Sequence, residues 1–226
     1  MTWNSTRKLT LAAVALGFLG AAGLTSAETV RNACAAPPVT VAATAKAPAG
    51  YSYGYVYLFR GLGNFPSRGI DTFKSELDAL GVRNSIYNHI RWHDVADAVI
   101  ATYKKDKTLA PIIIIGHSFG ANAAIVMSRW LGQNDVPVRL VVTFDGVQDI
   151  PPIQNNVAEV IDYYKPPFGR ATPIAPNFPG PVTATNLAGH DEITHNSIDK
   201  MEAYHKAVLA RILDILKKPP KAVAKG

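Results

Sequence analysis

Residues 111–124 read PIIIIGHSFGANAA, an apolar run that leads into a glycine-flanked serine and then into small residues. Four consecutive isoleucines favour a strand that is buried on both faces, because β-branched side chains suit a pleated surface. The small residues that follow allow a helix to pack closely against that strand. A Gly-x-Ser-x-Gly sequence between a strand and a helix is typical of a nucleophile elbow, a turn so tight that both glycines are needed. The pattern predicts that Ser118 projects above the carboxyl end of a sheet, where the N–H of Phe119 can meet an oxyanion.

The rest of the chain alternates between strand and helix patterns. Segments rich in β-branched and aromatic residues predict strands at 54–59, 82–87, 138–144, 157–164 and 182–187. Helical spacing of apolar residues predicts helices over 70–80, 95–103 and 198–215, besides the helix that follows the elbow and ends at Gly132. Six prolines in residues 165–181 predict a rigid, irregular loop. Strands that alternate with helices predict an α/β fold, a doubly wound and mostly parallel sheet with helices on both faces.

A serine hydroxyl is a poor nucleophile at neutral pH and needs a base, usually a histidine that a carboxylate orients. In a parallel sheet the site lies at the carboxyl ends of the strands. Asp145 ends the strand that is expected to neighbour the elbow strand, so its carboxylate can reach the same rim. Asp162 and Asp191 are the alternative acids.

Two histidines, His190 and His195, lie between the last strand and the last helix and are both candidates for the base. Two carboxylates follow His190 at Asp191 and Glu192, which fits a solvated turn better than a base facing an apolar pocket. His195 is therefore preferred, with His190 left as the alternative.

The other four histidines are expected to have lesser roles. His117, inside the elbow, is expected to point away from the serine and to pack or support the site. His89 and His93 are expected near the rim, and His205 is expected to face solvent from the last helix.

From about Tyr51 to Leu216 the chain resembles the α/β-hydrolase superfamily, especially its small esterase and thioesterase-like members that lack a cap. The resemblance is carried by FRGL at 59–62, GHSFG at 116–120, FD at 144–145 and HNSID at 195–199. The chain departs from the family at Arg60-Gly61, where the family usually has His-Gly, and it has no room for a helical lid.

The resemblance implies a catalytic triad of Ser118, Asp145 and His195, and an oxyanion hole formed by the backbone amides of Leu62 and Phe119. In the family the catalytic histidine lies a few residues ahead of the last helix, which also favours His195. The implied activity is hydrolysis of a carboxylic ester or thioester through an acyl-enzyme, with no metal and no organic cofactor. A non-catalytic envelope protein that uses the same fold as a binding or scaffold module is the alternative.

The first 27 residues have the pattern of a secretory signal peptide. Arg7-Lys8 precedes an uncharged Ala/Leu/Gly-rich run, and small residues end it at Ala27. An uncleaved N-terminal membrane anchor is the alternative. Residues 28–50 are predicted to be a flexible linker, 51–217 the folded domain, and 218–226 a disordered basic tail. The expected location is periplasmic or secreted.

Charge and composition limit the partners of this chain. The formal net charge is +6, and removal of residues 1–27 would take away two basic residues and no acid, leaving +4. No arginine-rich strip with interleaved aromatics argues for nucleic acid. With a single cysteine, Cys34, no internal disulfide can form. The expected ligand is a small-molecule or lipid-like acyl substrate, and the basic tail can make weak contact with a membrane or the cell wall. Aromatic residues Tyr163, Tyr164, Phe168 and Phe178 suggest an apolar acyl pocket.

Overall fold

The computed structural model describes residues 51, 53–62 and 67–217. The predicted signal peptide or anchor, the linker and the basic tail lie outside these residues. None of the helices in the described ranges is long and apolar enough for a membrane crossing.

Six strands and four α-helices make up the described chain. The strands are β1 Tyr55–Arg60, β2 Asn84–Asn88, β3 Ile112–His117, β4 Leu140–Phe144, β5 Val160–Tyr164 and β6 Val182–Asn186. The helices are α1 Arg68–Ala79, α2 Trp92–Lys105, α3 Phe119–Gln133 and α4 Glu202–Lys217, with short 3₁₀ turns at His89–Arg91, Lys107–Leu109 and Ile198–Lys200.

The strands form one parallel sheet in the order β2-β1-β3-β4-β5-β6. The elbow strand β3 lies between β1 and β4, with Ile113 paired to Leu140 and His117 to Phe144. The carboxyl ends of β1, β3 and β4 therefore meet at one rim. The predicted fold class is confirmed, and Asp145 follows the strand beside the elbow as expected.

Alternate residues of the central strands bury their side chains on opposite faces of the sheet. Phe59 and Ile114 belong to a core that α2 and α3 cover on one face. Leu58 and Ile115 belong to a second core that α1 and α4 cover on the other. This double cover explains why β3 reads as an unbroken apolar run, since neither face of the strand meets water.

The last helix begins later than its apolar stripe predicts. The stripe starts at Ile198, but Ile198–Lys200 forms a 3₁₀ turn and α4 begins at Glu202. In that turn the Asp199 carboxylate accepts a hydrogen bond from Gly69 N–H, 2.9 Å away, in the first turn of α1. This bond ties the 3₁₀ turn to the amino end of α1, where the first N–H groups of a helix have no intrahelical acceptor.

Candidate active site

Ser118 lies in a strained turn between β3 and α3. Its backbone adopts φ 59° and ψ −125°, which is unusual for a residue with a side chain. The flanking glycines leave no space for larger residues. A Cβ on Gly116 would lie 2.0 Å from Gly120 O, and a Cβ on Gly120 would lie 2.1 Å from Phe59 O. The Gly-x-Ser-x-Gly pattern thus follows from close backbone approach at both glycines, and the fold is of the α/β-hydrolase type.

A chain of two hydrogen bonds joins Ser118 to His195 and Asp145. His195 Nε2 lies 3.0 Å from Ser118 Oγ, and His195 Nδ1 lies 2.7 Å from Asp145 Oδ2. Asp145 is fully buried, and the His195 side chain is 18% exposed. The structure thus brings together the three residues that the sequence analysis named for the triad. Such an arrangement can move a proton from the serine hydroxyl to an imidazole whose other nitrogen faces a carboxylate.

Asp145 is held in place by the loop that follows β5. Its second oxygen, Oδ1, accepts a hydrogen bond of 2.7 Å from Lys165 N–H. Its own backbone has φ 54°, and its N–H donates to Tyr163 O. On the other side, Asn122 of α3 accepts a hydrogen bond from Val147 N–H and so ties the chain after Asp145 to the elbow helix.

The alternative acids, Asp162 and Asp191, and the alternative base, His190, do not take part in the hydrogen bonds that join Ser118, His195 and Asp145. Asp162 is buried one strand further along, and it accepts hydrogen bonds from Thr143 Oγ1 and Thr172 N–H. Burial raises the pKa of Asp162 above its usual value. Asp191 is exposed, and His190 is exposed with its Nδ1 3.0 Å from Glu192 Oε1.

The two residues predicted to form the oxyanion hole follow the carboxyl ends of β3 and β1. Phe119 is the first residue of α3, so its N–H has no intrahelical acceptor. Leu62 follows Gly61 in the turn after β1, and its side chain is 64% exposed. Gly61 lies against the elbow, because a Cβ there would be 2.9 Å from Ser118 Cβ. The donors would be backbone groups, so the exposed side chain of Leu62 does not conflict with that role.

A second, buried network lies behind the triad. His117 is completely buried, with Nδ1 2.8 Å from Ser67 Oγ and Nε2 2.8 Å from His195 O. Ser67 Oγ also accepts a hydrogen bond from Gly61 N–H. Burial, together with the nearby His195, lowers the pKa of His117 to about 4. The sequence predicts a supporting position for His117, but it does not identify Ser67, which has no local signal of its own.

The carboxyl group of Asp199 lies beside this network without forming an ion pair with it. The distance from His117 Nδ1 to Asp199 Oδ2 is 3.8 Å, and a histidine with so low a pKa is neutral near pH 7. Burial raises the pKa of Asp199 to about 6. Its Oδ1 atom is buried and has no hydrogen-bond partner among the described residues.

His205 does not face solvent, and that expectation is wrong. Its ring is 3% exposed and stacks on Phe73 with 3.7 Å between ring centroids. Its Nε2–H donates to Asp199 O, and its Nδ1 lies 2.9 Å from Glu76 Oε2. The ring fills the space between α4 and α1, which explains its burial.

The aromatic residues expected to form an acyl pocket are mostly elsewhere. Tyr163 stacks against Phe144 in the core, and Phe178 packs on the opposite face of the sheet. The ring of Phe168 does lie against the triad, 4.3 Å from the ring of His195, and Phe168 is 60% exposed. His89 does reach the rim, where its ring lies 5.4 Å from that of Phe119.

A cavity of about 600 Å³ opens at the opposite edge of the sheet, among the residues that precede β3, β4, β5 and β6. Pro111, Pro137 and Pro179 contribute to its walls. Ligands of such sheets bind at the carboxyl ends of the strands, so this cavity is not the candidate site.

Comparison with models of protein families finds none that matches the chain. Comparison with curated proteins finds no match either. Among solved structures, the chain is similar to human thioesterase 2, at 12% identity and a TM-score of 0.46 over 73% of this chain and 96% of that one. It is also similar to the RedJ thioesterase from the prodiginine biosynthetic pathway of Streptomyces coelicolor, at 12% identity and a TM-score of 0.47 over 72% and 86%.

Proposed function

We propose that this protein is a serine hydrolase that cleaves a carboxylic ester or thioester through an acyl-enzyme. The observation that carries the proposal is the hydrogen-bonded chain Ser118–His195–Asp145 at a strained strand-to-helix turn. A binding module has no evident need for a serine hydroxyl aligned with an imidazole and a buried carboxylate. Backbone strain of this kind typically costs about 1–3 kcal/mol and persists where the surroundings enforce it.

In the first half of the reaction, Ser118 Oγ attacks the substrate carbonyl carbon while His195 Nε2 takes the hydroxyl proton. Asp145 accepts a hydrogen bond from Nδ1–H and stabilises the imidazolium that forms. The N–H groups of Phe119 and Leu62 are proposed to bind the oxyanion, where loss of one donor typically costs about 3 kcal/mol of transition-state stabilisation. The tetrahedral intermediate then collapses, and the leaving alcohol or thiol receives the proton from His195.

In the second half, water attacks the acyl group on Ser118 while His195 takes a proton from the water. Collapse of this intermediate releases the carboxylic acid and returns the proton to Ser118 Oγ. The nucleophile Ser118, the base, the acid and the proposed oxyanion donors belong to the protein, and the second half adds only water, so the proposed mechanism uses no cofactor.

The substrate is proposed to present an apolar acyl group at an open rim. Three large apolar side chains, Leu62, Ile90 and Phe168, are between 60% and 71% exposed. Leu62 and Ile90 follow the carboxyl ends of β1 and β2, and Phe168 lies on His195. Nucleic acid is not a proposed ligand.

Labelling with a fluorophosphonate tests the proposal directly. The purified protein should be labelled at Ser118, and Ser118→Ala should abolish the label while circular dichroism and thermal unfolding remain close to wild type. A panel of p-nitrophenyl esters and acyl thioesters of increasing chain length would then identify the preferred bond and acyl group. A folded wild-type protein that neither labels nor hydrolyses any member would support the binding-module alternative.

Export to the periplasm or the medium remains a proposal that rests on residues 1–27. N-terminal sequencing of the mature protein should find a terminus at or near Glu28. Membrane-bound protein that retains residues 1–27 would favour the anchor instead.

A further inference from the structure

His117 precedes the nucleophile Ser118 in the sequence. Its ring contacts the backbone carbonyl of the triad residue His195 and none of the reacting atoms of the triad. Its ring is 0% exposed and makes two hydrogen bonds of 2.8 Å, one from each nitrogen. One bond reaches His195 O, and the other reaches Ser67 Oγ. The mechanism proposed above uses neither bond.

The chemistry of these partners determines where the proton of His117 lies. A carbonyl oxygen only accepts, so the bond to His195 O requires a proton on Nε2. Since His117 is neutral near pH 7, Nδ1 carries a lone pair and accepts from the Ser67 hydroxyl. Ser67 Oγ in turn accepts the N–H of Gly61 at 2.8 Å. In this series of three hydrogen bonds each donor therefore has an acceptor, and a single placement of the protons satisfies all three bonds.

This series of hydrogen bonds ends at two parts of the site, His195 O and Gly61 N–H, that are far apart in the sequence. His195 O belongs to the residue whose ring is to act as the base, 78 positions from His117. Gly61 N–H belongs to the residue that immediately precedes Leu62, one of the proposed oxyanion donors. Gly61 is also confined, since a Cβ there would be 2.9 Å from Ser118 Cβ and 3.0 Å from Ser67 Oγ.

We infer that His117, with its proton on Nε2, is a positioning residue that holds the backbone of His195 and, through Ser67, the backbone of Gly61 relative to Ser118. It does not touch the substrate. It fixes the positions of the base His195 and of the Gly61-Leu62 segment relative to the nucleophile. This inference deepens the proposed hydrolase function and rests on it, although the hydrogen-bonded arrangement can be tested separately.

Three variants at His117 separate the effects of the two hydrogen bonds of its ring, the one to His195 O and the one with Ser67 Oγ. The side-chain nitrogen of glutamine can occupy the place of Nε2, so His117→Gln keeps the donor to His195 O. The side-chain oxygen of asparagine can occupy the place of Nδ1, so His117→Asn keeps the acceptor for Ser67 and loses the donor. His117→Ala loses both. Ser67→Ala removes both hydrogen bonds of the Ser67 hydroxyl, the one to His117 Nδ1 and the one from Gly61 N–H, and leaves the bond from His117 to His195 O in place. Ser128→Ala, at an equally buried serine that donates to Ile125 O on α3, is its matched control.

Steady-state kinetics on a p-nitrophenyl ester gives the first readout, with every variant assayed well below its unfolding temperature. We expect His117→Ala and His117→Asn to lower kcat by about 100-fold with little change in KM, because small misplacement of reacting groups has effects of this size. His117→Gln should recover to within about fivefold of wild type. Ser67→Ala should lower kcat by about tenfold, and Ser128→Ala should not. A purely structural histidine would change the unfolding temperature and leave kcat of the folded enzyme unaltered, and that result would overturn the inference.

The second readout does not depend on activity. Imidazole ¹⁵N shifts should report the Nε2–H tautomer of His117, and amide exchange at Gly61 should accelerate at least about tenfold in Ser67→Ala and His117→Ala. A proton on Nδ1, or unchanged Gly61 exchange, contradicts the inference whether or not the protein is a hydrolase. Failure of the hydrolase proposal is recognised differently, by wild-type protein that is not labelled at Ser118.

Discussion

The backbone of Gly169 lies directly against the carboxylate of Asp145. A Cβ on Gly169 would be 1.6 Å from Asp145 Oδ1 and 2.3 Å from its Cγ. The same oxygen accepts the N–H of Lys165, and Gly169 N–H bonds back to Lys165 O. The turn over residues 165–169 therefore wraps the carboxylate that faces His195, and no other residue type fits at position 169 without moving it.

Gly169→Ala should reduce kcat by about 100-fold or more, because the added methyl group must displace Asp145 from His195 or the turn from the carboxylate. Gly189→Ala is the matched control, since a Cβ there would have no atom within 4 Å. Ester hydrolysis and circular dichroism of both variants test this. Equal activity in the two alanine variants would show that the contact does not position the acid.

His195→Ala should be as inactive as Ser118→Ala, because the members of a triad act as a unit. His190→Ala should retain activity within about twofold, because the side chain of His190 is 53% exposed and turned toward Glu192 rather than Ser118. Fluorophosphonate labelling rates of the three variants make the comparison. If His190→Ala is not labelled and His195→Ala is labelled at the wild-type rate, the base has been assigned to the wrong histidine.

Asp199→Asn should change how the free energy of unfolding depends on pH. Burial raises the pKa of Asp199 from 3.8 to about 6, so the stability that its protonated form provides is present at low pH and is lost as pH rises toward 6. The pKa of His117 is lowered from 6.5 to about 4, so its contribution is present above pH 6.5 and is lost as pH falls toward 4. In the wild type, a rise in pH from about 4 to 6 therefore removes the stabilisation from Asp199 while it adds the stabilisation from His117.

The asparagine variant removes only the first contribution. Its stability relative to wild type should therefore be higher at pH 7 than at pH 4 by about 2 kcal/mol, since each pKa unit corresponds to about 1.4 kcal/mol and the unfolded carboxyl is already partly ionised at pH 4. Urea unfolding of both proteins at pH 4, 5.5 and 7 measures the difference. Asp149→Asn, at an exposed carboxylate, is the control and should show no such trend. A difference that stays constant from pH 4 to 7 would contradict the raised pKa.

Phe168→Ala should alter substrate preference more than stability. The ring is 60% exposed, so its removal should change the free energy of unfolding by no more than about 0.5 kcal/mol. Because the ring lies on His195, we expect KM for long-chain esters to rise several-fold, while the acetyl ester is hydrolysed almost as before. The control is Leu80→Ala, which removes an exposed apolar side chain at the end of α1. Parallel loss on all chain lengths would argue that Phe168 supports the base and does not contact the acyl group.

The parts of the fold that depend on local pattern were predictable from the sequence. The run Ile112–Ile115 and the small residues of α3 predict a buried strand and a close helix, and both occur there. Placement of Asp145 beside the elbow needed one additional rule, that neighbouring parallel strands end at the same rim. The structure agrees because β3 pairs with β4.

His205 had a signal that the sequence interpretation missed. Residues 205, 208, 212 and 215 recur at spacings of three and four, so His205 shares the buried face of α4 with Val208 and Ile212. By contrast, Ser67 and Gly169 act through contacts with residues 50 and 24 positions away in the chain. Such contacts exist only after the sheet has formed, and no pattern in the neighbouring sequence predicts them.

The parallel sheet also has a consequence for how the protein folds. His195 is separated by 50 residues from Asp145 and by 77 from Ser118, and each segment between them must first complete its crossover. Long-range pairings of this kind form slowly, because the entropy of closing large loops opposes them until many contacts are made. The three side chains can therefore meet only after most of the sheet has been assembled. Reactivity of Ser118 during refolding would report the completion of folding rather than its beginning.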